Sequence, residues 1–586
     1  MSETRHWNLS SVLEPHAISN TPYALVLLNT AISEKHALVF YRVWQQAAIR
    51  IVADGAANML LDFITMHSDK SFEMPDLICG DLDSISEHAR SSFEAKTHKT
   101  PSCPFPPPTM SDSQAKFVSY IDENQKKLID GLSEVVAIPS VSGDASYRQD
   151  VFKMGEWLKN KLSSLGADVS THDLGMQDLD GKEVPLPPVV VASIGSDSSK
   201  KTVLVYGHYD VQPALKSDGW KTEPFELVHD EKTGCLFGRG STDDKGPILG
   251  WLHVIEAHKE LGLDLPVNLK FCFEGMEESG SVGLDDFVVK NKDSLFAGVD
   301  AVCISDNYWL GTKKPCVTNG LRGIAYFKLA ISGPARDLHS GVFGGMVHEP
   351  MTDLIKIMSS LVTPQGEITI PGINEQVAPL TDEERKVYDV MDFDIAFVDE
   401  ATGSQTTVSD NKPNVLMARM RYPSLSLHGI EGAFAESGSK TVIPRRVVGK
   451  FSIRLVPDMD PAKVIECVEK HVESEFAKLK SKNTMKLSPD HPGKPWVADP
   501  KHWNYEAAFK ATEQIYGVRP DLTREGGSIP ITLTFADALQ KNVLLLPMGR
   551  SDDGAHSTNE KLDLSNYVKG TQLLGTYLYE IAKVAQ

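Results

Sequence analysis

The sequence predicts an α/β protein: helices pack on a largely parallel sheet, and a smaller α+β unit is inserted into that fold. Two observations predict the main fold. Short apolar runs such as "KTVLVYG", "VNLKFCFEG" and "DAVCISD" read as strands, and patterns such as "GPILGWLHVIEAHKELG" between them read as helices. Strands that alternate with helices in this way build parallel sheets. A third observation predicts the insertion. From about residue 320 the strands become alternating, as in "GIAYFKLAISG" and "VVGKFSIRLVP", and are joined by amphipathic helices such as "PAKVIECVEKHVESEFAKL". The α/β pattern then returns in "TLTFADALQKNVLLLPMG".

The length of 586 residues exceeds one ordinary core, so about two to four domains are expected. The sharpest boundary is "KTHKTPSCPFPPPTMSDSQ", with five prolines in residues 101–108. Such a run cannot continue a helix or enter a central strand, and reads as an extended linker. Met110 stands at its far side, where a complete protein could itself begin. The expected organisation is an N-terminal segment over 1–95, the linker over 96–112, a catalytic domain from 113–319 and 493–586, and the insert over 320–492. After the linker, "FVSYIDENQKKLIDGLSEVVAIPS" predicts one amphipathic helix and "VFKMGEWLKNKLSSLGADV" another. The polar stretch 380–412 predicts a surface excursion.

The formal charge is −20, from 59 basic and 79 acidic residues. That excludes nucleic acid or an anionic membrane as the main partner, because both select a basic face. Seven cysteines are scattered without a CxxC, which disfavours a disulfide framework and fits a reducing compartment. No run of about 18 apolar residues occurs. The start carries no basic stretch followed by an apolar one, so a cytoplasmic protein is expected.

Acidic and imidazole groups recur where the predicted strands end. In "YGHYDVQP", His208 and Asp210 are two residues apart, so they project to the same side of an extended chain. "GRGSTDDKGP" places Asp243 and Asp244 before a helix, "FCFEGMEESGS" places Glu277 and Glu278 after a strand, "VCISDN" ends on Asp306, and "SDDGAHSTNE" carries His556 in a loop. Side chains beyond the carboxyl ends of strands in an open α/β sheet converge on one crevice. Carboxylates gathered there must be protonated, paired with cations or bound to metal. Imidazoles with several carboxylates suit zinc, manganese or cobalt.

Residues 110–586 resemble the di-metal dipeptidases of the carnosinase and aminoacylase group. The motifs above, together with "ISDNYWLG", "DLHSGVFGG", "RYPSLSLHGIEGAF", "KFSIRLVP" and "LTREGGSIP", match in order. The resemblance implies an α/β/α catalytic domain of the di-zinc-peptidase type with an inserted lid and dimerisation domain. It implies two divalent ions per subunit, Mn²⁺ or Zn²⁺, and hydrolysis of dipeptides such as Cys-Gly. His208, Asp243, Glu278, Asp306 and His556 take the places of the ligands, with Asp243 bridging and the Asp243–Asp244 peptide cis. Asp210 orients His208, and Glu277 is the general base. Arg454 holds the substrate carboxylate, and Thr441 and Ser528 match further substrate contacts. His339 reaches the active site of the other subunit, which implies a homodimer through the insert. An N-acyl-amino-acid deacylase of the same group is the alternative activity.

Residues 22–95 resemble the N-terminal part of thiamine pyrophosphokinase, through "RIVADGAANML" and "MPDLICGDLDSI". Asp54, Gly55, Asn58, Asp81 and Asp83 match that family's motifs, and Asp54, Asp81 and Asp83 are candidates for Mg²⁺ and nucleotide phosphate. The later acidic segment and the β-rich thiamine-binding domain are missing. The resemblance therefore implies a truncated α/β kinase-like segment. Residual thiamine diphosphokinase activity would make the chain bifunctional.

Overall fold

A computed structural model describes residues 110–584, apart from Asp180 and Ser528, and the backbone of three short strands nearer the amino terminus. Those strands, Ala24–Leu27, Ile49–Ala53 and Leu77–Cys79, pair in parallel in chain order. They belong to a compact unit, Met1–Met110, separate from Ser111–Gln586. Asp54, Gly55, Asn58, Asp81 and Asp83 lie outside the described residues, as does Ser528.

The larger unit is built on a nine-stranded sheet. Its strands in chain order are β1 (Asp168–His172), β2 (Val189–Ile194), β3 (Thr202–His208), β4 (Asn268–Glu274), β5 (Ala301–Ile304), β6 (Cys316–Leu321), β7 (Trp496–Val497), β8 (Asp521–Glu525) and β9 (Asn542–Leu545). Across the sheet they run β7-β6-β9-β5-β3-β4-β2-β1, with β8 also pairing β6. The central four, β4-β3-β5-β9, are parallel. The flanks are mixed: β2 and β1 add antiparallel on one side, and β6 joins β9 antiparallel on the other. The sheet is thus parallel where the site lies, but less parallel at its edges than the sequence suggests.

β3 is apolar almost throughout because both of its faces are covered. Val203 and Val205 face helices including Arg148–Leu165, Lys245–Leu261 and Leu564–Ala582, whereas Leu204 and Tyr206 face Leu284–Asn291 and Pro530–Leu539. The result is three layers, α/β/α. Lys245 is fully buried, and its ammonium donates to the carbonyls of Val135 and Ile138 at 2.9 and 2.7 Å. A cation there adds a second donor to carbonyls at the end of the helix Gln125–Val136, where the dipole is negative.

The chain leaves the sheet after Leu321 and re-enters it at Trp496. Between these points lies a four-stranded antiparallel sheet in the order Ser424–Glu431, Arg446–Leu455, Gly323–Ser332, Thr484–Gly493. Helices Pro350–Met358 and Pro461–Leu479 cover one face, with Phe327, Phe451, Leu354 and Val468 in a core of their own.

Two elements differ from the sequence reading. The single helix expected after the linker is two, Asp112–Glu123 and Gln125–Val136. Asn124 breaks it: its side-chain amide donates to the Tyr120 carbonyl at 2.8 Å, competing with the helical ladder. The expected excursion at 380–412 is largely helical, over Asp382–Val390, Ile395–Thr402 and Lys412–Met420. Tyr388, Met391, Leu416 and Met417 give it a small core against Trp309 and Leu310. These few apolar anchors are diluted by charge, so no continuous stripe marks them in the sequence.

Gly246, at the second position of the helix that follows Asp243–Asp244, has no room for a side chain. A Cβ there would lie 2.1 Å from the Ser241 carbonyl oxygen and 2.9 Å from Leu562. Gly246→Ala is therefore expected to destabilise the protein by about 2 kcal/mol through overpacking. Urea denaturation measures this, and an unchanged midpoint would refute the constraint.

Candidate metal centre

Four parallel strand ends feed one crevice. His208 closes β3 and pairs with Glu274 at the end of β4, so the turn Glu277–Ser279 begins just beyond. Ile304, at the end of β5, is level with Tyr206, so two more residues bring Asp306 level with His208. The loop after β9 carries His556. β4 and β5 lie on opposite sides of β3, which makes this edge the point where the strand order reverses, the usual ligand crevice of an open α/β sheet.

Asp243 lies at the centre of the cluster. Its Oδ1 is 3.1 Å from His208 Nε2, and its Oδ2 is 3.1 Å from His556 Nε2. His208 Nε2 is also 3.5 Å from Asp306, and His556 Nε2 is 2.9 Å from Glu278. The result is two trios that share Asp243: His208, Asp243 and Asp306, and Asp243, Glu278 and His556. Within each trio the candidate ligand atoms lie within 4.8 Å of one another. Glu277 Oε2 is 4.0 Å from His208 Nε2. With Asp243, Asp306, Tyr308, Glu525 and His556, Glu277 lines a cavity of about 260 Å³. The Asp243–Asp244 peptide is cis.

Asp210 is fully buried and has two tasks. Its two oxygens accept the backbone N–H groups of Glu277 and Glu278 at 3.2 and 3.1 Å, which fixes the turn that carries both carboxylates. Its carboxylate lies 3.4 Å from His208 Nδ1, but its own main-chain carbonyl is nearer, at 3.1 Å. The imidazole is thus oriented by main chain as well as side chain, a contact invisible in the residue pattern. Gln212, passed over in the sequence reading, donates to Glu278 at 2.8 Å. Its signal was spacing: it lies two residues beyond Asp210, with the same parity.

The electrostatics describe a site short of positive charge. Burial, then neighbouring carboxylates, raise the proton affinity of Asp306, Glu277 and Glu278. His208 is raised well above its ordinary range: burial opposes this, and Asp306, Asp210 and Asp243 outweigh it. Hydrogen bonds to Asp243 and Glu278 push His556 up to about 10. Groups that hold protons this strongly occupy positions where cations would relieve them. The donor set of imidazole nitrogens and carboxylate oxygens fits divalent zinc or manganese. A third acidic group, Asp552, Asp553 and Asp563, already holds a cation, since Lys561 Nζ lies 3.1, 2.8 and 2.6 Å from its oxygens.

The predicted substrate contacts lie apart from this cluster. His339 is exposed on the insert, where its Nδ1 accepts the Gly341 amide at 3.0 Å. Thr441 is exposed, and its carbonyl accepts the Ser340 amide. Arg454 is half-buried on the insert sheet, opposite Ile324 and Ser424. Among the described residues none of these three is hydrogen-bonded or ion-paired to the acidic cluster. His428, which the sequence reading also passed over, is on the same sheet. It stacks on Tyr326 and bonds Ser452 at 2.8 Å.

Fold and donor set define the class: an α/β protein whose strand ends carry two trios of side chains that could each hold a metal ion. Residues 204–580 match the peptidase family M20/M25/M40, and the chain belongs to that family. It is 54% identical over 476 residues to the Cys-Gly metallodipeptidase of Schizosaccharomyces pombe, spanning 81% of this chain and all of that one. It is 45% identical to the human Beta-Ala-His dipeptidase, over 82% of this chain and 95% of the other. The solved structure of the di-peptidase Dug1p from Saccharomyces cerevisiae superposes with a TM-score of 0.74 at 53% identity, covering 81% of this chain and 100% of that one. Residues 40–138 match the catalytic domain of thiamin pyrophosphokinase. No helix among the described residues is long and apolar enough to cross a membrane.

Removing divalent ions should make stability fall as pH rises. The folded pKa values of Glu277, Glu278, Asp306, His208 and His556 all lie above their unfolded values. The folded state then binds more protons, and stability drops as pH climbs through the raised values. Thermal melts of chelated protein from pH 5 to 9 should show a falling Tm. Added Mn²⁺ should flatten the profile and raise the Tm at the alkaline end. A flat profile without ions would contradict the crowded-carboxylate account.

Proposed function

We propose that the protein is a metallodipeptidase that hydrolyses the peptide bond of dipeptides such as Cys-Gly, with Glu277 as general base. The observation that carries this reading is the placement of Glu277, which lines the cavity beside two ligand trios joined through Asp243. His208, Asp243 and Asp306 would hold one divalent ion, and Asp243, Glu278 and His556 the other. When bound, such ions would supply Lewis acidity that lowers the pKa of water and polarises the scissile carbonyl. Glu277 takes the proton of the attacking water and delivers it to the departing amine. Asp210 keeps Glu277 in place by holding its amide. The identity to the Cys-Gly metallodipeptidase supports the substrate class.

In this reading Arg454 grips the substrate carboxylate through a two-pronged contact, and Thr441 and Ser528 supply further substrate contacts. His339 donates to the developing oxyanion of the other subunit of a homodimer. The exposure of His339 and of its neighbours Val342 (59%) and Met346 (76%) supports a partner surface on the insert. The described cysteines are all free, which supports a reducing, cytoplasmic setting.

Glu277→Gln is expected to keep its ions and lose about 10²- to 10⁴-fold in kcat on Cys-Gly. A near-normal rate would remove Glu277 as the base, and preference for an N-acetyl amino acid over Cys-Gly would favour the deacylase. His339→Ala and Glu277→Ala subunits, each inactive alone, should regain activity when mixed, because one of the two sites then has both groups. Demonstrated heterodimers without activity would exclude His339 acting across subunits.

A further inference from the structure

Two loops supply two members of the trio formed by Asp243, Glu278 and His556: residues 239–244 carry Asp243, and residues 549–560 carry His556. One buried carboxylate ties them together. Glu560 is 0% exposed. Its Oε1 accepts the amides of Thr242 and Asp243 at 3.0 and 3.2 Å, and its Oε2 accepts the Gly240 amide at 3.0 Å and Arg239 Nη1 at 2.7 Å. Arg239 is also buried, and its other prong donates back to the Ser557 carbonyl at 3.1 Å. The His556 loop is held in an unfavourable shape, since His556 and Asn559 have φ of 57° and 61°. Left-handed backbone at non-glycine residues persists only where the surroundings enforce it.

We infer that Glu560 and Arg239 form a latch whose task is to position Asp243 and His556 for the ion they share. This rests on the metal reading above. Each Glu560 oxygen meets two donors, so the carboxylate is matched to its site in a way an amide is not. Glu560→Gln must turn an NH₂ toward two N–H groups at one position or the other. Glu560 and Arg239 touch no reacting atom in this scheme and act only through Asp243 and His556.

The test is Glu560→Gln in the full chain, with Mn²⁺ as the probe. Wild type is expected to bind two ions per subunit. The variant should bind both ions more weakly, since Asp243 belongs to both trios, and the ion that also needs His556 should lose most, about 10- to 100-fold, the usual effect of losing a group that orients a ligand. Without any metal, hydrogen exchange at the Thr242 and Asp243 amides should accelerate at least about tenfold if those bonds hold the loop. Val468→Ala, a destabilising change in the separate core of the insert, should leave both ions bound. Loss of an ion in Val468→Ala as well would reduce the Glu560 effect to general destabilisation and overturn the latch. Should Glu560→Gln not fold, Arg239→Lys keeps the charge, loses the prong to Ser557 and should weaken the same ion. Two ions bound at wild-type affinity in whichever variant folds would overturn the inference. A wild type that binds no ion would instead sink the metal reading itself.

Discussion

The structure turns on one electrostatic constraint: carboxylates are packed around His208 at a buried sheet edge, where they repel one another. Two like charges 4 Å apart cost about 4 kcal/mol at the effective dielectric of a protein surface, and Asp243 has oxygens within 4.8 Å of both Asp306 and Glu278. Only protons or cations relieve that repulsion, and burial first, then the neighbouring carboxylates, raises the proton affinities of Glu277, Glu278 and Asp306. The surrounding architecture holds mutually repelling groups together long enough to be useful. The helix Lys245–Leu261 begins at the cluster and presents the positive end of its dipole there.

The means of holding is mostly main-chain amides. Asp210 accepts two consecutive N–H groups of the turn that carries Glu277 and Glu278, and Glu560 accepts three from the loop that carries Asp243. Buried carboxylates bonded to amides are ordered without competing for the centre of the crevice. A candidate ligand is thus placed largely by a neighbour's grip on its backbone, and its carboxylate still faces the crevice. The Lys561 cluster shows the contrary arrangement nearby, where the acids spend their charge on a built-in ammonium.

The groups at the strand ends were legible because the sheet converts sequence position into space. His208 and Asp210 share parity at the end of an apolar run, and Asp306 follows another run at matching depth. Parallel register then brings distant residues level, as Ile304 with Tyr206. What the sequence hid depends on contacts between segments with no common period. The helix break at Asn124 is a local competition for one carbonyl. The helices over 382–420 rest on a few apolar anchors that have meaning only against Trp309 and Leu310. Glu560 reads as one more acid beside a lysine, and only its meeting with Arg239, some 320 residues away, gives it a role. Of the substrate-binding candidates, the described ones, His339, Thr441 and Arg454, lie on the insert and are not assembled with the cluster, so sequence spacing carries nothing about their meeting. Ser528 and the N-terminal aspartates lie outside the described residues.

In the proposed enzyme, ion binding and substrate recognition would be built on different supports. The candidate ligands hang from the large sheet and its amide-anchored loops, whereas Arg454, Thr441 and His339 belong to the insert. The two are joined by a narrow neck, where a side chain on Gly323 would strike the Gly493 carbonyl oxygen at 2.4 Å. Beside it Arg322 is buried, donating to the carbonyls of Ala418 and Tyr422 and, at 3.1 Å, to Ser424 Oγ. The insert also rests on the large sheet through its helices, where Tyr388, Met391, Leu416 and Met417 pack against Trp309 and Leu310 and Arg419 pairs with Glu525 at 2.9 Å. In that enzyme, a change in the insert would act first on the substrate groups, and a change at the latch first on the ligand trios. In the proposed enzyme, affinity for the dipeptide and affinity for the ions are thereby governed by separable parts of one fold.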